Sequence, residues 1–321
     1  MKAVAFTGAG GNEVVEVVER PDPIVGPDDV LLAVTVAGMN PADLEQREGR
    51  YPAPRGVVPD VPGLEVAGSV LAAGERVTSW SPGDRVFGLV GGGGLASRVV
   101  VHERCVTRVP ELLGPDQAAA VPEAFITAHD ALRQCRLRPG ETVLVHGATG
   151  AVGSAAVGIA CVSGARVIAP IGSSEGAEAV ASIGAEPVDD RAEAIASAAG
   201  PRGVDVVVEL VGGASVKTAL DVLAVGGRIV VISVAGGSTA ELDLLRLMVR
   251  RATIRGTVLR ARALDEKAAA VQAFAREVVP MLADGRLAPS IDSVFDIGDV
   301  RAAFGRLAER GKRGKVLVRF P

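Results

Sequence analysis

Residues 142–163, TVLVHGATGAVGSAAVGIACVS, set a short aliphatic run directly against a glycine turn and then a run of small residues at helical length. Val143-Leu144-Val145 has the length of a strand buried on both faces, and Ala148-x-Gly150-x-x-Gly153 follows at once. Gly150 lets the backbone approach a pyrophosphate, and Gly153 lets the helix lie close against the sheet. With Ala148, Ala151 and Val152 they form a turn whose helix N-terminus offers unpaired N–H groups and a partial positive charge. A glycine motif alone is a weak sign. Here a second strand-like run, residues 165–171 (ARVIAPI), follows at the spacing of a βαβ unit. The segment predicts a dinucleotide site on a parallel sheet.

The rest of the chain changes character along its length. At about 150 residues per domain, 321 residues allow two domains. Residues 1–6, 29–36, 65–70, 84–89 and 97–101 are short β-like runs between Gly/Pro turns, which predicts a β-rich domain. From 122 to 260, strand-like runs at 142, 165, 205–210, 228–234 and 253–259 alternate with helical segments, the rhythm of a doubly wound sheet. A helix rich in Ala and charge (265–282) and a last strand (315–320) are expected to pack back on the first domain. The expected division is therefore 1–121 with 261–321, and 122–260.

Composition excludes several classes. A net charge of −4 with 3% aromatics gives neither a basic stripe nor a stacking platform, so no nucleic-acid partner is expected. The three cysteines, Cys105, Cys135 and Cys161, form no CxxC pair, so neither a zinc ribbon nor a disulfide framework is indicated and the compartment is expected to be reducing. Residues 142–165 carry no charge, but their glycines mark a turn between two elements, not a membrane span. With no signal-peptide pattern at its start, the chain is expected to be soluble and cytoplasmic.

Several short motifs then combine: Asn40-Pro41-Ala42-Asp43 with Tyr51-Pro52, Gly63-Leu64-Glu65-Val66-Ala67-Gly68, Gly83-Asp84-Arg85-Val86, Val121-Pro122-Glu123 with Thr127, the Ala148–Gly153 turn, and Gly314-Lys315. In these the chain resembles, over essentially its whole length, the quinone oxidoreductase (zeta-crystallin-like) branch of the medium-chain dehydrogenases/reductases. The resemblance implies an α/β protein, a GroES-like β-rich domain plus a Rossmann domain, with the cofactor in the cleft between them. Zinc alcohol dehydrogenases place a Cys at the position of Asn40, a His at Leu64 and a Cys at Glu123. Asn binds soft divalent metals poorly and Leu has no lone pair, so no metal is expected. Residues 84–101 also run from strand to strand without a cysteine-rich lobe. His146, beside the glycine turn, is read as a buried strand-end histidine rather than a ligand or base. His102 and His129 offer nothing sharper.

Without a metal, hydride delivered to a quinone or an α,β-unsaturated carbonyl leaves negative charge on an oxygen that needs a donor. Tyr51, the only tyrosine, stands where the resembled enzymes place a pocket tyrosine; a packed aromatic with its hydroxyl at the surface is the alternative. Asn40-Pro41-x-Asp43 reads as a helix start with the Asn40 side chain as N-cap, and by resemblance Asn40 also faces the nicotinamide. Asp43 is read as structural. The resemblance puts Thr127 near the cofactor and counts Lys315 among its contacts. Ser233 and Val234 end a strand where parallel sheets bind ligands, and the glycine run from Gly91 is a candidate wall for substrate.

An enzyme selecting NAD usually carries an acid about 20 residues past the glycine motif. Here that region reads Pro170-Ile171-Gly172-Ser173-Ser174. NADPH is therefore favoured, its 2′-phosphate falling to Ser173, Ser174 and Arg191, with Glu175 opposing; NADH stays open. Two other readings stand beside quinone or enone reduction: an enoyl-thioester or biosynthetic tailoring reductase, and a nucleotide-binding protein without relevant catalysis. The resemblance also implies a homodimer, paired through the strand at 253–259.

Overall fold

The computed structural model describes residues 1–321 and divides them into two compact units, Met1–Ile126 with Leu259–Pro321, and Thr127–Val258. In chain order the first unit opens with β1 (Lys2–Phe6), β2 (Val15–Glu19), β3 (Asp29–Met39), α1 (Pro41–Arg47), β4 (Glu65–Ala73), β5 (Arg85–Leu89), β6 (Arg98–His102), β7 (Val106–Arg108) and α2 (Pro115–Ala119). The boundary expected at 121/122 falls instead inside α3 (Pro122–Gln134). Proline suits the first position of a helix, so Pro122 opens an element where the sequence reading had placed a break.

The second unit follows as β8 (Thr142–Val145), α4 (Ala151–Val162), β9 (Arg166–Pro170), α5 (Ser174–Ser182), β10 (Glu186–Val188), α6 (Ala192–Ala199), β11 (Val204–Glu209), α7 (Ala214–Val222), β12 (Leu223–Val231), α8 (Leu244–Arg250) and β13 (Thr253–Gly256). Its six strands are all parallel, in the order β10-β9-β8-β11-β12-β13. This is a doubly wound sheet whose order reverses between β8 and β11, where such sheets take their ligands. Every residue of β11 (VDVVVE) is buried, as a central parallel strand requires. Leu144, Ile168, Val207, Leu220 and Ile229 knit its core.

The chain then returns to the first unit through α9 (Leu264–Glu277), α10 (Val279–Ala283), β14 (Ile291–Asp296), α11 (Val300–Ala308) and β15 (Lys315–Arg319). The long strand β3 organises this unit. Val30, Leu32, Val34 and Val36 alternate into the core, with the period of two of a half-buried strand. One edge of β3 pairs β4 along its length, with register shifts at Leu31/Leu32 and Val34/Val36. The other edge is shared, β6 taking Asp29–Ala33 and β15 taking Val36–Met39. Bulges of this kind bend a strand, which lets one strand serve two neighbours. Beneath the sheet, Phe6 meets Phe304 of α11 edge to face at 5.6 Å between ring centres.

Candidate active site

The glycine turn joins β8 to α4 as expected. Gly147 takes φ +74°, and a Cβ at Gly153 would lie 2.1 Å from the Gly147 carbonyl oxygen, so the helix can seat here only on glycine. Gly150 is the N-cap of α4; no side chain caps it and no acid stands in the first turn. A Cβ there would meet only the Gly147 oxygen, at 3.6 Å. The helix N-terminus is thus left open to an anion. Thr127 adds a second sign of a missing partner, because its hydroxyl is buried with no hydrogen bond.

His146 follows β8 and is buried, its Nδ1 2.5 Å from Glu209 Oε2. Glu209 also accepts from the backbone N–H of Val211 (2.7 Å) and Gly212 (2.9 Å) and from the Ser215 hydroxyl (2.9 Å). Burial pushes the Glu209 carboxyl up, but His146 and these N–H donors outweigh it and hold it below its ordinary value. The pair therefore ties the ends of β8 and β11 together. Ser233 lies two residues beyond the end of β12, and Gly236 N donates to Val211 O at 2.7 Å, so the loops after β11 and β12 are laced side by side.

Past β9, a cavity of about 360 Å³ is lined by Gly172, Ser173, Ser174 and Asp189 among others. The Ser173 hydroxyl is the N-cap of α5, accepting from Gly176 N at 3.1 Å. Arg191 donates from Nε to Asp189 Oδ1 at 2.7 Å, so the guanidinium is held next to this wall by an acid.

In the first unit the Asn40 side chain does something other than the expected capping. Asp43 caps α1, its Oδ2 accepting from Asn40 N at 2.8 Å while Oδ1 accepts from Gly63 N at 2.8 Å. The Asn40 amide turns instead to Glu65 and Lys315. Lys315 can only donate, so it fixes Oδ1 (2.6 Å); the Glu65 carboxylate only accepts, so it fixes Nδ2 (3.0 Å). The second Nδ2 proton is left without an acceptor. Lys315 and Glu65 themselves form a fully buried ion pair at 2.5 Å. Gly38, opposite Glu65 in the sheet, makes room for that carboxylate, since a Cβ there would lie 2.3 Å from Glu65 Oε1. Lys315, counted from sequence among the cofactor contacts, is committed here to orienting Asn40.

Tyr51 is half-buried, with the Arg260 guanidinium 4.9 Å from its ring centre. Arg260 is itself held by Gly91 O (2.9 Å), Tyr51 O (3.3 Å) and Gln46 Oε1 (2.5 Å). The Tyr51 hydroxyl makes no hydrogen bond within the chain, and burial raises its pKa. Gly91–Gly93 line a cavity of about 660 Å³ with Val57, Leu89, Val101 and Lys267. Lys267 donates to Arg260 O at 3.1 Å, and burial pulls its ammonium down.

Two family models match the chain: one described as an alcohol dehydrogenase GroES-like domain, over residues 26–111, and one described as a zinc-binding dehydrogenase, over residues 151–276. The quinone oxidoreductase of Lama guanicoe is 32% identical, the match covering 99% of this chain and 97% of that protein. A quinone oxidoreductase-like protein 2 of Bos taurus is 34% identical over 94% of this chain and 87% of its own length. This chain belongs to the quinone oxidoreductase branch of the medium-chain dehydrogenase/reductase superfamily. The quinone oxidoreductase of Thermus thermophilus, solved alone and with NADPH, is 38% identical with a TM-score of 0.85, each chain covered completely.

As a quinone oxidoreductase-branch chain it carries Asn40, Leu64 and Glu123 at the three positions where zinc relatives place ligands. Asn40 is engaged as described and Leu64 is buried apolar packing. No group of three or more His, Cys, Asp or Glu side chains is disposed to hold a metal ion. Sequence reasoning missed Glu65 as the partner of Asn40 and Arg260 as the clamp on Tyr51. Glu65 lay in a motif that carried the resemblance. Arg260 carried no local signal, because its partners Gln46, Tyr51 and Gly91 lie far away in sequence.

Proposed function

We propose that the protein uses NADPH to reduce quinones or α,β-unsaturated carbonyls by hydride transfer without a metal. The observation that carries this reading is the locked Asn40 amide. Its free N–H, with the unpartnered Tyr51 hydroxyl in the same unit, offers preorganised donors to the oxygen on which charge develops. The residues present fit the cofactor: an uncapped helix N-terminus for the pyrophosphate, the orphan Thr127 hydroxyl for a polar edge, and Ser174 with Arg191 for a 2′-phosphate. When bound, the nicotinamide supplies the hydride. Lys315 positions Asn40, and Asn40 and Tyr51 stabilise the oxyanion.

The reading includes a homodimer in a reducing cytoplasm, where Cys105, Cys135 and Cys161 stay as the free thiols seen here. The two edges of the parallel sheet differ. Edge strand β10 has three residues, one of them Pro187, which blunts pairing; β13 (TIRG) has four and no proline, with Arg255 its one charge. Just before β13, helix α8 exposes Leu244, Leu245, Met248 and Val249 as one apolar stripe. Both features suit a covered edge at β13. No helix is long and apolar enough to cross a membrane.

The test is NADPH consumption against a panel of quinones, enones and enoyl-thioesters, repeated with a chelator. Turnover on quinones or enones that survives the chelator is expected. Turnover confined to enoyl-thioesters would move the protein to biosynthetic reduction, and tight NADPH binding with no turnover would leave a binding protein.

A further inference from the structure

The cavity of about 660 Å³ in the first unit is lined by neither Asn40 nor Tyr51, so it is separate from the donors assigned to the oxyanion. Its surface is mostly apolar. Val57 and Val61 come from the loop before β4, Leu89 from the end of β5, and Val99 and Val101 from β6. Ile24, Val58 and Leu264 also line it and are 94%, 52% and 46% exposed, so three large apolar side chains are left to water around one opening.

The charged groups of the wall are not equivalent. Arg98 is paired with Asp22, and Arg20 with Asp60. Lys267 on α9 and Asp29 on β3 form no ion pair, with each other or with another group. The Lys267 ammonium lies against the glycine wall, its Nζ 3.8 Å from where a Cβ of Gly91 would stand. One of its three N–H donors goes to Arg260 O at 3.1 Å. Its neighbours supply no counter-charge: burial raises the Cys105 thiol and keeps it neutral, Arg260 is itself a cation, and Glu123 acts on Lys267 only from beyond ion-pair distance. Burial pulls the ammonium down, the mark of a charge held in an apolar wall without a partner.

We propose that this cavity binds small apolar molecules with one anionic head, of the alkyl carboxylate class, the chain lying along the valine wall and the head on the Lys267 ammonium. The volume falls within the range of about 300–1,000 Å³ usual for small-molecule sites. Asp29 repels the same head, which fixes the direction of the ligand: carboxylate toward α9, away from the start of β3. Nothing in this assignment uses the cofactor or Asn40, so it stands apart from the reductase reading.

Calorimetry on the whole chain with decanoate, decanol and decylammonium, each below its aggregation concentration, tests it. Decanoate should bind at least about 10-fold more tightly than either of the others, the worth of one charge-assisted hydrogen bond. Lys267→Met should abolish that preference while leaving decanol affinity within about two-fold. Val58→Asp, an exposed change at the opening that leaves Lys267 in place, should weaken decanoate more than decanol; it decides the matter even if Lys267→Met fails to fold. Decylammonium binding as tightly as decanoate, or decanoate affinity that survives the substitutions, would overturn the head-group assignment. Absence of binding by all three would overturn the site.

Discussion

At position 150 an added Cβ meets only the Gly147 oxygen at 3.6 Å, whereas at position 153 it would sit 2.1 Å from that oxygen. The two glycines of one motif should therefore fail differently. Gly150→Val should fold with an unchanged Tm and lose NADPH affinity by at least about 10²-fold, because the side chain takes the pyrophosphate's place. Gly153→Val should lose about 3 kcal/mol or more of stability, since backbone must move; calorimetry and a cofactor titration separate the two. Tyr51→Phe probes the other end of the reaction. Loss of its unpartnered hydroxyl should lower enone turnover by about 10²-fold and quinone turnover less, because a phenol-like hydroquinone, with a pKa of about 10, makes a weaker demand on a donor. Equal rates for Tyr51→Phe and wild type on both substrates would make the ring a packing element under Arg260.

Among the elements, those with strong periodicity were legible in advance and those that depend on distant partners were not. Strands β8, β9 and β11 announced themselves as aliphatic runs of strand length beside glycine turns. The three-residue strands β7 and β10 carry too little pattern to separate from loop, and β14 (IDSVFD) mixes acids into its alternation. In the candidate site the turn at 148–153 could be read because all its jobs fall within six residues. The Asn40 amide could not, because its two partners lie 25 and 275 residues away along the chain. That long connection sets the next expectation. Lys315→Met leaves Glu65 charged and unpaired in a dry site, which should cost about 3–5 kcal/mol. Adding Glu65→Gln should return part of the loss; urea unfolding of both variants measures it.

For the whole molecule, the exposed stripe on α8 and the proline-free edge of β13 predict that two copies associate through this side of the parallel sheet. Leu245→Glu combined with Met248→Lys should convert a dimer into a monomer by light scattering while leaving NADPH affinity within about two-fold, a difference of roughly 0.4 kcal/mol. A wild-type chain that is monomeric at working concentration would count against the dimer.

The second unit, Thr127–Val258, is one continuous stretch, while the first is assembled from two stretches on either side of it. During synthesis the parallel sheet can close as soon as residue 258 is free of the ribosome. Glu65 has been translated long before, but its counter-charge Lys315 comes on the last strand of the first unit. Until then the carboxylate has N–H donors in Asn40 and Glu123 but no counter-charge to offset its burial. An assembly that follows translation would close the parallel-sheet unit first and give the unit around β3 its last buried charge from one late lysine.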